Sequence, residues 1–376
     1  MYSTDLPAVA VRSDTEFYNG KMYMLGYRTD GAGTTDGSVW VYDAALNTWS
    51  DTGVDMPVPV SNYTIAKLTD GTGVGLYIFG GRDSAGACTD AVQVYYPDTN
   101  TTAAIATDPW TGVVNPGERV FPGGVVAVGN KAYAWGGFCG TTTAPFTGSQ
   151  TWVFDPAAAA GSRWTAGPNL PTPGAYQNGA ALDGKIYSIG GDSYDGAALI
   201  AYPDVLMLDP ANLGAGWQTK APIPTPSSGA PGCDESRAFG FDTASSWSLA
   251  GKIVLAGCGQ WDQTPTTLPE SFVYTGSSDS WTTFAPLNQA RRNHAGAFIV
   301  DSATSGRMWV GGGYVPDGTN VGTATTETYQ VGTVPTAVSL TGFSANASAS
   351  ARLPWLALGA ALVMVGAGAL ARRRLA

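Results

Sequence analysis

The sequence predicts an all-β protein whose small antiparallel sheets repeat around a common axis, followed by one C-terminal transmembrane α-helix. Three observations predict it: an apolar run closed by glycine recurs six times, glycine makes up 50 of 376 residues while charged residues make up only 13%, and the chain ends in an apolar stretch followed by arginines. Glycine at about 13%, against roughly 7% in ordinary soluble proteins, disfavours a helical globule, since each interior helical glycine costs about 1 kcal/mol. No Gly-X-Y period is present, which excludes collagen. Disorder is excluded too, because 44% hydrophobic and 11% aromatic residues can offset the entropy of ordering. A formal charge of −10 argues against a nucleic-acid partner, which requires clustered Lys and Arg.

The repeat is read from its glycines: Gly26, Gly80-Gly81, Gly136-Gly137, Gly190-Gly191, Gly257-Cys258-Gly259 and Gly311-Gly312, with first glycines 54, 56, 54, 67 and 54 residues apart. A short β-rich run precedes each, at residues 21–25, 76–79, 131–135, 185–189, 252–256 and 307–310. A further strand follows at residues 39–43, 92–96, 151–155, 205–209, 271–274 and 327–329. Trp49, Trp164, Trp217 and Trp281 then stand before Pro-containing returns. Such sheets bury no face alone and must stack on their neighbours; glycine lets backbones approach near a crowded axis, and tryptophan fills the wedge between sheets.

These residues resemble the kelch family: an apolar strand, a double glycine, a Tyr-Asp or Phe-Asp-Pro strand end, then tryptophan and a proline return. The resemblance covers residues 1–332, includes the central domain of galactose oxidase, and implies a six-bladed kelch-type β-propeller. Three departures stand out. Gly26 is followed by Tyr27, the second unit has Thr102 where tryptophan is expected with Trp110 as a substitute, and the sixth unit stops after its third strand. Trp164, Trp217 and Trp281 lie six residues before Leu170, Ile223 and Leu287, and Trp49 seven before Met56; Asp5-Leu6-Pro7 looks like the same return. The N-terminus is therefore expected to supply the outer strand of the last blade and close the ring. An upstream aromatic residue and signal peptide are expected to be missing from this chain, because residues 1–10 contain no basic start followed by an apolar run.

The C-terminal part divides into a Ser/Thr/Ala-rich stalk (333–352), an uncharged span (353–371) and a basic tail (372–376). Nineteen residues in a helix reach about 28 Å, close to the hydrocarbon thickness. Arg372, Arg373 and Arg374 place the tail on the cytoplasmic side and the propeller outside, in a single-pass cell-membrane arrangement. Without Arg352 and those three, 15 basic face 29 acidic residues, or −14 outside.

Four cysteines outside the cell favour disulfides, with three possible pairings. Cys88 and Cys139 occupy equivalent loops of adjacent units, and Cys233 would then pair with Cys258; four buried thiols are the alternative. The spacing offers no zinc site, no calcium loop is present around Asp30, Asp36, Asp192 and Asp195, and no cofactor is expected. The single histidine, His294, cannot supply the copper site of galactose oxidase, and its setting in Arg291-Arg292-Asn293-His294-Ala295 resembles an ordinary kelch strand opening.

In the kelch arrangement, the segments leading into the inner strands and the loops after the glycines share one face, around the channel mouth. The lead-in segments carry Arg12, Asn62, Glu118 with Arg119, Tyr176 with Gln177, Glu235 with Arg237, and Arg292 with His294. A ring of arginines there is expected to hold an acidic sugar or peptide through bidentate contacts; the alternative is that they bond to neighbouring-blade carbonyls. The loops at residues 82–90, 138–150, 192–204, 260–270 and 314–326 offer Tyr194, Tyr202 and Trp261 for stacking. The reading is a monomeric, non-enzymatic, membrane-anchored surface module that binds glycan or protein. The resemblance adds one enzymatic alternative, a sialic-acid-type mutarotase in which Glu118 or Glu235 transfers protons beside Arg119 and Arg237.

Overall fold

The computed structural model describes residues 3–29, 34–115, 118–139, 147–194, 197–260, 266–316 and 321–333. They form an all-β, six-bladed β-propeller. Blade one runs through Thr15–Tyr18, Lys21–Arg28, Thr35–Asp43 and Thr48–Asp55, and blade two through Ala66–Thr69, Val74–Phe79, Val92–Tyr96 and Thr101–Ala104. Blade three uses Gly124–Val128, Lys131–Trp135, Thr151–Phe154 and Trp164–Ala166; blade four uses Asn178–Leu182, Lys185–Ile189, Val205–Leu208 and Gln218–Lys220. Blade five consists of Arg237–Phe241, Lys252–Ala256, Ser271–Thr275 and Ser280–Phe284, and blade six of Ala295–Ser302, Ser305–Gly311 and Thr326–Gly332. The inner strands of blades one and six pack together, which closes the circle.

Burial explains the sequence pattern. The core falls into six clusters, one for each pair of neighbouring blades. Along Lys21–Arg28, Met22 and Met24 face blade six while Tyr23 and Leu25 face blade two. The middle of a second strand is therefore mostly apolar on both sides, because both of its faces are covered. Outer strands meet solvent and turn polar, as Thr48–Asp55 does. Two-residue turns with both residues left-handed, such as Asn19-Gly20 at φ 49° and 78°, match the strand twist. The double glycines carry the tight bend into the loops: Gly81 has φ 109°, and a Cβ there would stand 2.8 Å from the Cβ of Val60.

Both expected disulfides form. Cys88–Cys139 joins the loops of blades two and three, and Cys233–Cys258 lies within blade five.

The returns repeat with six-fold regularity. Met56, Trp110, Leu170, Ile223, Leu287 and Leu6 each donate their backbone N–H to a carbonyl just before a third strand, or in blade one to Gly37 near its start, at 2.7–2.9 Å. Trp110 is thus the return residue of blade two rather than a substitute for the missing outer tryptophan; Thr102 stands in the outer strand, opposite Tyr95. Leu6 is the return of blade six, as the sequence suggests. Yet among the described residues the sixth sheet has three strands, and residues 3–10 contribute the return rather than a fourth strand. Within the same residues no helix is long and apolar enough to cross a membrane. The expected span at 353–371 and the basic tail lie outside the described residues, as do Asp30, Asp195 and Trp261.

Candidate functional site

The six lead-in segments are defined by one bridge per blade, each pairing a residue with the one that follows the glycine bend: Val11 with Arg28, Ser61 with Arg82, Phe121 with Phe138, Ala175 with Asp192, Asp234 with Gly259, and Arg292 with Tyr314. The next residue is left-handed in five blades, at Arg12, Asn62, Tyr176, Glu235 and Asn293. Their backbones link the blades around the axis. Asn62 donates to Arg12, Arg12 to Asn293, Asn293 to Glu235, and Glu235 to Tyr176. Blade three places Pro122 at this position, and proline has no N–H to give.

This register corrects the expected arginine ring. Arg12 stands at the left-handed position, Arg292 one residue earlier and Arg237 two residues later, so the three project from different heights. Glu118 and Arg119 are not in the mouth: they belong to an inserted hairpin, Val113–Asn115 with Glu118–Arg119, where Arg119 pairs with Asp90 at 3.0 Å.

The mouth arginines are taken up in holding blades together. Arg292 and Glu235 form an ion pair at 2.6 Å, each side chain 1% exposed, with the guanidinium 4.6 Å from the Tyr314 ring centre. Arg237 donates to the backbone oxygens of His294 and Ser13 and pairs with Asp14 at 3.1 Å. Arg12 donates to the Tyr314 hydroxyl. Gln177 bonds to the Tyr202 hydroxyl, and Asn62 takes a bond from Ser61. The cavity lined by Arg12, Asn62, Tyr176, Gln177, Glu235 and Arg237 is about 60 Å³, room for a few water molecules rather than a sugar acid. Below it the channel widens to about 500 Å³ along the inner strands.

Titratable groups near the neck are strongly perturbed. Burial pushes Asp14 up to about 6 despite the opposing pull of Arg237. Burial likewise raises Asp192 well above the usual carboxylate range, with the neighbouring Asp234 carboxyl adding to it. His294 is lowered well below its ordinary value by burial, with Arg291 and Arg237 in support, so the imidazole is neutral. No described group of three or more His, Cys, Asp or Glu residues is arranged to hold a metal ion.

A second cluster on the same face was not anticipated from the sequence. The Arg82 guanidinium lies over the rings of Phe121 and Phe138, 5.5 and 5.6 Å from their centres. Tyr176 packs against both rings, and Tyr194 against Phe138 at 5.7 Å. The Cys88–Cys139 bridge sits beside it, with Cys88 next to the Phe138 carbonyl. No carboxylate among the described residues pairs with Arg82, and its Nε is buried without a hydrogen-bond partner. The sequence signal was present: aromatic residues flank the third unit's glycines at the positions that meet the arginine after Gly81.

Propeller, repeat and loop-face geometry together define a kelch-type protein. Residues 14–233 match the KLHDC2/KLHL20/DRC7 Kelch-repeats domain, and the chain belongs to this family. It is 26% identical over 222 residues to alpha-scruin of Limulus polyphemus, a match covering 56% of this chain and 22% of that protein's length. The structure of YjhT superposes with a TM-score of 0.61 at 16% identity, covering 89% of this chain and 97% of that one. That likeness concerns the fold. The kelch propeller fold suggests a protein-binding module.

Proposed function

We propose that this propeller binds a partner protein through the loop face of blades two to four, with Arg82 accepting a carboxylate of the partner and Phe121, Phe138, Tyr176 and Tyr194 providing the contact around it. The observation that supports this most is the contrast between arginines: Arg12, Arg237 and Arg292 are engaged with blade neighbours, while Arg82 rests on aromatic rings with no carboxylate beside it. A half-buried cation among aromatic rings suits an interface centre. Glycan binding is the less supported reading, since the axial cavity is only about 60 Å³. Proton transfer of the mutarotase type is also disfavoured, because Glu235 is ion-paired to Arg292 and Arg119 to Asp90.

Two disulfides suit an oxidising compartment, and with the apolar segment at 353–371 they support an extracytoplasmic, membrane-anchored setting; fractionation of the full chain with membranes tests it. For the binding site, selection from a displayed random-peptide library should enrich acidic peptides whose affinity falls about tenfold or more in Arg82→Ala. Enrichment indifferent to Arg82, or binding to a glycan array and to no peptide, would overturn the reading.

A further inference from the structure

The two disulfides differ in their surroundings. Cys233–Cys258 is wholly enclosed within blade five, whereas Cys88–Cys139 is half-buried on the loop face and joins two blades. Each cysteine of the second bridge is attached to a part of the Arg82 cluster. Cys88 is the backbone bridge partner of Arg82, and Cys139 follows Phe138, whose ring centre lies 5.6 Å from the Arg82 guanidinium. Cys88 Sγ stands 3.8 Å from the Phe138 carbonyl oxygen. The S–S bond therefore closes a short circuit of contacts. It runs from Arg82 to Cys88, through the sulfurs to Cys139, back along the chain to Phe138, and through that ring to Arg82 again.

Little else fixes the two loops to each other. Among the described residues, no backbone hydrogen bond connects residues 82–90 with residues 138, 139 or 147–150, and Pro122 has no N–H to give to blade two. Asp83 accepts from the backbone of Ala85 and Ala87, which shapes its own loop without attaching it to blade three. The ion pair of Asp90 with Arg119 reaches the inserted hairpin, not Phe138. Apart from the disulfide, the Arg82 cation over the rings of Phe121 and Phe138 is what spans the joint.

We propose that Cys88–Cys139 is a reversible redox site that governs whether the Arg82 cluster is assembled. The reductant it takes is a dithiol. One thiolate of the reductant attacks a sulfur of the bridge, and the other cystine sulfur leaves as a thiolate. The second thiol of the reductant then resolves the mixed disulfide. Two electrons and two protons pass to the protein, whose cysteines become thiols, and the reductant is left as an intramolecular disulfide. With the bridge open, the loop at residues 82–90 parts from Phe138 and the rings no longer enclose the guanidinium. Access decides which bridge responds, because exchange requires approach to sulfur: Cys88–Cys139 offers it and Cys233–Cys258 does not. The proposal rests on Arg82 as the binding residue and adds the control of that site.

The test uses the full chain under native conditions. Graded dithiothreitol followed by alkylation and mass spectrometry should show Cys88 and Cys139 modified at about one-tenth of the reductant needed for Cys233 and Cys258, or less. Hydrogen exchange of residues 82–90 should quicken about tenfold in the selectively reduced protein and in Cys88→Ala with Cys139→Ala, and reoxidation of the wild type should reverse it. Simultaneous reduction of both bridges, or unchanged exchange in the reduced and variant proteins, would overturn the proposal. The selected acidic peptides give a second readout, with affinity expected to fall about tenfold on reduction; equal affinity in both forms would overturn the control of binding. Peptides bound by neither form would refute the binding reading alone, because exchange at residues 82–90 is measured without a partner.

Discussion

Arg291 and Arg292 are adjacent and buried, yet they secure different joints. Arg291 donates to the Gly312 and Thr325 carbonyls and pairs with Glu327 inside blade six, whereas Arg292 crosses to Glu235 of blade five. Removing one member of a buried pair strands the other charge, so Arg292→Met is expected to cost about 3–5 kcal/mol in chemical denaturation. Arg292→Met with Glu235→Met should recover most of that loss; a double variant as unstable as the single one would contradict this account of the pair. The residue types at the mouth were legible, but their heights were not. Left-handed Arg12, Asn62, Tyr176, Glu235 and Asn293 set which side chains face inward, and that conformation leaves no signature when Arg and Glu adopt it instead of glycine. Arg82 was missed because its neighbours come from a different repeat.

At the level of elements, the strands were legible because stacking between two blades demands an unbroken apolar run, and the cysteines because their loops repeat. The hairpin containing Glu118 and Arg119 was not, since an insertion between units preserves no period. The two disulfides should contribute unequally. Loop entropy alone assigns about 4 kcal/mol to Cys88–Cys139, at a sequence separation of 51, and about 3.5 kcal/mol to Cys233–Cys258, at a separation of 25. Cys233 and Cys258 are wholly buried, however, and serines there would bury hydroxyls as well. Cys233→Ser with Cys258→Ser is therefore expected to lower Tm more than Cys88→Ser with Cys139→Ser. The reverse order in thermal unfolding would show that chain entropy dominates.

For the whole molecule, the number of blades followed from counting glycine bends, while the closure at blade six depended on pairing that spacing only suggested. The buried titratable groups give the folded state an unusual response to pH. Between about pH 5 and 6, Asp14 and Asp192 hold protons that the unfolded chain releases, and His294 lacks one that the unfolded chain binds. The folded state thus carries up to one proton more, and stability should fall by at most about 1.4 kcal/mol per pH unit as pH rises through this interval. Asp70, Asp108, Asp155, Asp209 and Asp279, whose pKa values are lowered, act in the opposite sense below about pH 5, where the unfolded chain begins to protonate its carboxylates and the folded one does not. Urea denaturation at pH 5 and 6 checks the slope; Asp14→Asn should flatten it, and greater stability at pH 6 in the unaltered protein would refute it. Pro122 has a mechanical consequence of its own. Backbone bonds tie blades four, five, six, one and two into an arc, proline interrupts it at blade three, and Cys88–Cys139 spans the joint between blades two and three. The covalent bond acts there as the clasp of a bracelet, and a reduced molecule pulled apart along its rim should open first beside blade three.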